Sequence, residues 1–294
     1  MFTTPKRIAL ILFVCSAAGS FLPPTFGSES TGKHFIWRVT NAPAPFYLVG
    51  SVHSLSGKDY PLARPVMDAF HESKQVFFEY NPNEDEEFSS KFEDASRLPK
   101  GQTIYSKLHP ETLKFLQTRF RNSNVHFDLV KDWKAWRIAA IWGIRGWSNI
   151  SGAYGVDSYL AYHCRRLHKP MGGLETIDEH VEVLGGMSDA ESEVMLLDDI
   201  VQGDKRRGTY DRAVAAWKRG DVEGVWAEER RFRSQAPTIS SRLLDMRNLK
   251  WVPRIIGMIK QNKPTMVVAG AAHFAGPPSL IKLLELHGYK CEQL

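Results

Sequence analysis

Phe46-Tyr47-Leu48-Val49-Gly50-Ser51-Val52-His53 is an apolar run of strand type that closes on Gly, two small or apolar residues, and His. Near the other end of the chain Met266-Val267-Val268-Ala269-Gly270-Ala271-Ala272-His273 has the same form. The flanking sequence repeats as well. After His53 comes a Pro-started helix from Pro61 to Ser73, with Val66, Met67, Ala69 and Phe70 apolar, then a strand over Gln75-Val76-Phe77-Phe78-Glu79. After His273 come Pro277-Pro278, a helix with Leu280, Ile281, Leu283, Leu284 and Leu286 apolar, Gly288 as its stop, and a last strand from Tyr289 to Leu294. Two strand-GxxH-helix-strand units thus stand at the two ends of the chain.

A strand-helix-strand crossover makes its strands parallel, and ligands of such sheets collect beyond the carboxyl ends of the strands. Each GxxH falls there. Gly50 and Gly270 let the backbone turn sharply or approach a bound group closely. His53 and His273 would face a common crevice, and Glu79, which ends the strand after His53, would rise to the same edge. Two imidazoles and a carboxylate have the composition of a catalytic metal site with a position left for water. One GxxH is common by chance, and a lone His after a strand is often only a hydrogen-bonded structural residue. Two copies in matching contexts, with a Glu closing an apolar strand, favour a site. The other eight histidines, among them His109, His163, His168 and His287, are expected at the surface.

Between the two units the signals are mostly helical. Asn81-Pro82-Asn83 before Glu84-Asp85-Glu86-Glu87 predicts a turn and a solvated acidic helix start rather than a cation site. Further helices are predicted from Pro110 to Phe120, around Trp133 to Trp142, after Gly155-Val156-Asp157, around Ile177 to Leu184, and over about Asp189 to Val201, Thr209 to Arg219 and Asp221 to Phe232. Lys169 to Glu175 predicts a short strand ending in an acid, and Glu175 is either another edge carboxylate or a helix-start residue. A helix from about Ser240 carries Arg247, Asn248 and Trp251, and Pro253 should kink or restart it. Arg247 is a surface charge, or it points at an anionic group or developing oxyanion beside the histidines.

The 294 residues are 43% hydrophobic and 24% charged, with eight Trp and sixteen Phe, which excludes disorder, collagen-like repeats and a coiled coil. A mean hydropathy of −0.30 excludes a multi-span membrane protein. The net charge of +5 is spread without a basic block, so it signals solubility and no nucleic-acid partner. There is no GxxxxGK[ST], GxGxxG, GxSxG, HExxH or CxxC, which removes the common nucleotide, serine and thiol chemistries. Residues 1–27 carry Lys6 and Arg7, an apolar stretch from Ile8 to Ala18, and small residues up to Gly27, the pattern of a secretory signal. Cleavage is expected after Gly27, with Ser20 as an alternative and an uncleaved anchor as the other reading; Val14 before Cys15 argues against a lipoprotein. An exported, periplasmic or secreted protein without a stable membrane span is expected. Cys164 and Cys291 remain as a disulfide pair or as buried small residues.

The residues Gly50-Ser51-Val52-His53, Phe78-Glu79, Gly155-Val156-Asp157, Gly173-Leu174-Glu175-Thr176, Trp217 before Gly220-Asp221, Arg247-Asn248 with Trp251, Gly270-Ala271-Ala272-His273 and Gly288-Tyr289 resemble the TraB/GumN family of the wider Tiki superfamily. The resemblance covers nearly the whole mature chain in order. It departs at Ser51, where Thr is usual, and at Met246, where an acid commonly precedes Arg247.

It implies an α/β (α+β) fold in which the two GxxH units are related halves of a central mixed sheet, with helices inserted over about 84–260. Residues 28–294 would then form one domain. Tiki proteins are divalent-metal-dependent proteases, and erythromycin esterase relatives use a similar His/Glu site for hydrolysis. The resulting expectation is an exported hydrolase of a peptide or ester-type bond, in which His53, Glu79 and His273 bind Mn, Co or Zn or activate a water directly. Arg247 would stabilise the oxyanion, and Glu175, Gly50 and Gly270 would support the ligands from behind. The alternative is a non-enzymatic envelope protein that holds a metal, cofactor or glycan in the same crevice, with a link to exopolysaccharide processing.

Overall fold

The two strands that carry the GxxH motifs are buried along their whole length, and this sets the centre of the molecule. In the computed structural model, which describes residues 32–121, 126–142, 149–203 and 205–294, they are the second and fifth strands of a six-stranded sheet. The expected signal segment 1–27 lies outside the described residues. In chain order the elements are β1 (Ile36–Val39), β2 (Phe46–Ser51), α1 (Arg64–Glu72), β3 (Gln75–Phe78), α2 (Asp85–Ala95), α3 (Pro110–Arg121), α4 (Ala135–Trp142), α5 (Val156–Arg166) and β4 (Met171–Gly173). There follow α6 (Ile177–Gly185), α7 (Asp189–Gln202), α8 (Lys205–Lys218), α9 (Val222–Gln235), α10 (Pro237–Ser240), α11 (Met246–Lys260), β5 (Thr265–Gly270), α12 (Leu280–Leu286) and β6 (Cys291–Gln293).

The sheet order is β4-β3-β5-β2-β1-β6. β2 runs parallel to β5 with Gly50 opposite Ala269 and Ser51 opposite Gly270, and β3 runs parallel to β5 and to β4. β1, which the motifs give no sign of, is antiparallel to both β2 and β6 and makes the sheet mixed. β5 is inserted between β2 and β3, so the carboxyl ends of the two motif strands are direct neighbours.

Burial on both faces follows from strict alternation. Phe46, Leu48, Val267 and Ala269 pack on one face against Trp251 and Ile255 of α11 and Leu280 and Leu284 of α12. Tyr47, Val49, Met266 and Val268 pack on the other against Val66 and Phe70 of α1 and Tyr159 and Leu160 of α5. A separate apolar cluster joins Leu116 and Phe120 of α3, Ile138 of α4, and Leu196 and Ile200 of α7. One local expectation is corrected and two that were left open are narrowed. Val156 and Asp157 form the first turn of α5 instead of preceding it. Pro253 sits inside α11, which runs unbroken to Lys260. Cys164 and Cys291 are both free thiols, the first buried.

Candidate functional site

β3 and β4 end side by side, and their ladder continues one step beyond the strands: Leu174 N–H donates to Phe78 O at 2.7 Å and Glu175 N–H to Glu79 O at 2.9 Å. Glu79 and Glu175 therefore stand next to each other at the carboxyl edge. His53 lies just past β2 on a loop held from two sides, by Val156 N–H to Val52 O at 3.1 Å and Tyr210 Oη to Ser54 O at 2.6 Å. His273 lies in a tight 3₁₀ turn, Ala271–Phe274, directly after β5. Arg247 and Asn248 enter at the start of α11, behind a π-helical segment, Ser241–Asp245, whose wider turn advances the residues that follow it around the helix axis.

The structure thus brings together His53, Glu79, Glu175, Arg247, Gly270 and His273. Glu79 Oε1 is the meeting point: it accepts from Gly270 N–H at 2.8 Å, with His53 Nε2 at 3.6 Å and His273 Nε2 at 3.8 Å. Glu79 Oε2 accepts from Arg247 Nη2 at 2.5 Å. The same Nη2 reaches Glu175 Oε1 at 2.6 Å, and Arg247 Nε reaches Glu175 Oε2 at 3.2 Å. Gly50 lies further back, where a Cβ would stand 2.3 Å from the Phe35 ring, so it admits the core rather than a ligand.

The two histidines, alike in sequence, differ in chemistry. His273 is buried, packs at a tilt against Trp251 with ring centroids 4.5 Å apart, and places Nδ1 2.6 Å from Asn248 Oδ1. Asn248 Nδ2 donates to the carbonyls of His273 and Pro278, which identifies Oδ1 as the acceptor and assigns the proton of His273 to Nδ1. Burial, with Arg247 and His53 nearby, outweighs the pull of Glu79 and lowers His273 to about 3. It is neutral, with the Nε2 lone pair facing Glu79. The His53 side chain is 57% exposed, to the crevice, with Nδ1 2.9 Å from Asp157 Oδ2; Ser51 Oγ donates to Asp157 Oδ1 at 2.9 Å. Desolvation pulls His53 down, but Asp157 and then Glu79 more than offset it and raise it to about 9. For Glu79, burial is opposed chiefly by Arg247, then by His53 and His273, and its carboxyl is held well below the ordinary range. Glu175 is lowered too, against burial, by His180 and Arg247.

The donor types of His53, Glu79 and His273 suit a divalent metal, but their ligand atoms do not all lie within 4.8 Å of one another, so the exposed His53 ring would have to move toward His273 for all three to share one ion. Two ligands bound at about 2.1 Å with tetrahedral angles stand about 3.4 Å apart, close to the 3.6 and 3.8 Å observed around Glu79 Oε1. Each imidazole has its other nitrogen fixed by an oxygen acceptor, the usual support of a metal-binding His. Gly270 leaves the space open: a Cβ there would lie 3.0 Å from His53 Nε2 and 3.3 Å from Glu79 Oε1. Among the described residues the group whose ligand atoms do lie within 4.8 Å of one another is Glu79, Glu175 and His180, although the Arg247 guanidinium already sits against both carboxylates there.

Gly270→Ala tests this crowding. Gly270 has φ −52°, which Ala adopts freely, and the exposed His53 ring can yield. The variant is expected to keep its stability to within about 1 kcal/mol in urea unfolding while losing at least tenfold in metal affinity by calorimetry.

Two expectations change. Arg247 is no surface charge, and its N–H groups all face protein acceptors: Glu79, Glu175, Leu243 O and His273 Nε2. It points at anionic groups, the Glu79 and Glu175 carboxylates, and positions them. His180, expected at the surface, instead places Nδ1 2.5 Å from Glu175 Oε1, with its ring against Tyr80 and Phe88. Sequence reasoning also missed the parts of Asp157 and Asn248. The signal for Asp157 was an acid in the first turn of a helix beside a Gly, and for Asn248 its place next to Arg247.

A crevice of about 530 Å³ opens over His53, Glu79, Arg247, Gly270 and His273 and is walled by α7, α8 and α9. A hollow of about 360 Å³ along α3, lined by Glu111, Lys114, Phe115, Thr118 and Arg119, has no such set of groups. Among the described residues no helix is long and apolar enough to cross a membrane.

A mixed sheet with two GxxH histidines and a Glu at its carboxyl edge defines a class, and sequence comparison gives its family. The chain belongs to the TraB/PrgY/gumN family, whose profile matches residues 35–293. It is 24% identical over 317 residues to "Metalloprotease TIKI homolog" of Nematostella vectensis, a match covering 88% of this chain and 66% of that protein. It is 22% identical over 322 residues to "Metalloprotease TIKI2" of Xenopus tropicalis, covering 90% of this chain and 60% of that protein. It is 21% identical over 273 residues to "Uncharacterized protein YbaP" of Escherichia coli K12, covering 88% and 97%. The chain spans about two thirds or less of the length of these TIKI proteins. No solved structure matches it.

Proposed function

We propose that this protein is an exported, divalent-metal-dependent hydrolase of a peptide or ester-type bond, folded as one unit over residues 28–294. The observation that carries the reading is the convergence of His53 Nε2 and His273 Nε2 on Glu79 Oε1, with Asp157 and Asn248 fixing the far nitrogens. Relatives named as metalloproteases support it. His53, Glu79 and His273 are the ligands in this reading, and a divalent ion held there supplies Lewis acidity and a water of pKa about 7. Mn, Co or Zn suits the N/O donors. As a ligand His53 would be neutral, with its one ring proton on Nδ1 toward Asp157. Arg247 holds Glu79 and Glu175 in register, His180 braces Glu175, and Gly270 keeps the edge open. The crevice walls orient the substrate and limit water.

The test is metal analysis and turnover of the purified mature chain with a panel of peptide, ester and glycan substrates. About one equivalent of metal is expected, with hydrolysis lost to chelator and restored by adding the ion back. Hydrolysis that continues unchanged in chelator overturns the metal requirement. Tight ligand capture without turnover under any metal makes the protein a binder.

A further inference from the structure

Among the described residues, one carboxylate of the crevice wall has no cation paired with it. Glu229, on α9, lines the crevice together with His53, Glu79 and His273. The other carboxylates of this lining are each matched by a cation: Glu79 by Arg247 at 2.5 Å, Glu228 by Arg212 at 2.5 and 3.0 Å, and Asp198 by Arg231 at 3.8 Å. Glu229 instead accepts only from a neutral donor, Ser240 Oγ, at 2.6 Å. Arg233, one turn along the same helix, acts on Glu229 only through space, because both its Nη atoms are engaged in a two-pronged pair with Asp245 at 2.6 Å for each contact. Among the described residues no Lys, Arg or His nitrogen lies within 4 Å of the Glu229 carboxylate.

Leaving a half-buried carboxylate without an opposite charge costs stability, and such a group is retained where a ligand brings the missing charge. The surroundings fit a substrate side chain with an apolar stem and a charged tip, because Val225, Phe232, Leu243 and Leu244 line the same wall. We infer that Glu229 is a specificity residue that selects substrates carrying an ammonium or guanidinium group, through a charge-assisted hydrogen bond in the crevice. This rests on the hydrolase reading above for its location, though not for its test. Burial raises the Glu229 carboxyl, the opposite of Glu79 and Glu175 beside Arg247, and a bound cation would reverse that shift.

The test compares fluorescently labelled peptides that differ at a single side chain, Lys against norleucine and Arg against citrulline, on the full mature chain loaded with Mn, Co or Zn. Both equilibrium binding and kcat/KM are read. The wild-type protein is expected to favour the cationic member of each pair at least tenfold. Glu229→Gln, whose amide oxygen still accepts from Ser240, should bring the ratio to within about twofold through KM. Glu229→Asp should keep part of the preference, and circular dichroism with metal content checks that each variant is folded. A ratio near one in the wild type, or an unchanged ratio in E229Q, overturns the inference even if peptides are hydrolysed. Selective binding that depends on Glu229 without any turnover upholds it and overturns the hydrolase reading instead.

Discussion

Replacing Arg247 with Ala is expected to destabilise the fold by about 3–5 kcal/mol at neutral pH, the usual result of removing one partner from a buried ionic cluster. The guanidinium lies between two buried carboxylates, Glu79 and Glu175, and stacks 4.6 Å from the centre of the Trp251 ring. Without it both carboxylates remain next to each other with only histidines to oppose them. The deficit has a definite pH dependence. In the wild type both carboxyls lie below their ordinary value, so their contribution is present above about pH 4.5 and is lost as pH falls through the folded values. In the variant the same groups favour the protonated form, so acid relieves it. The difference between the two proteins in urea unfolding should therefore be largest near pH 7 and shrink below about pH 4.5. Arg247→Lys keeps a charge but loses the planar fork and should recover only part of the loss. A variant as stable as wild type at pH 7 would mean that the cluster is not what holds this edge together.

His53→Ala should behave in the opposite way, with stability almost unchanged and metal binding and turnover lost. More than half of the ring is exposed to the crevice, and its contacts are with Asp157 and Glu79 rather than with the apolar core. Unfolding should shift by no more than about 0.5–1 kcal/mol, in the range of exposed pairs. Hydrolysis should fall at least about 10²-fold, the low end for losing a group that acts on the reacting atoms. The matching change at His273 removes a ring packed on Trp251 and bonded to Asn248, and it should cost activity and stability together. If His53→Ala still binds metal with wild-type affinity and stoichiometry, His53 is not a ligand.

Much of the arrangement was legible in the sequence because it depends on local grammar. A buried strand, a Gly and a His state a direction and an edge, so the placing of His53, Glu79 and His273 at one end of the sheet needed no tertiary knowledge. Some helix starts were equally readable, as at Pro110 for α3. Sequence periodicity did not report on partners that meet only in space. The insertion of β5 between β2 and β3 is a matter of strand order, which no single run of residues records. His180 has an ordinary helical sequence context and meets Glu175, five residues earlier, across the turn into α6; only the approach of β4 to β3 carries the pair to Glu79. The internal echo also overstated symmetry: one histidine is buried and neutral, the other exposed and basic, because β5 passes into a 3₁₀ turn while β2 passes into a loop.

The adjacency of β2 and β5 bears on how the protein comes into being. Residues 53 and 273 meet only after some two hundred intervening residues have been synthesised, and closing so long a loop is entropically slow to be rewarded. A nascent chain that has emerged only as far as α10 contains His53, Glu79 and Glu175 but lacks Arg247 and His273. The complete cluster first exists when β5 slots between two strands made much earlier, so an unfinished or misfolded chain carries its separate pieces and never the assembled edge.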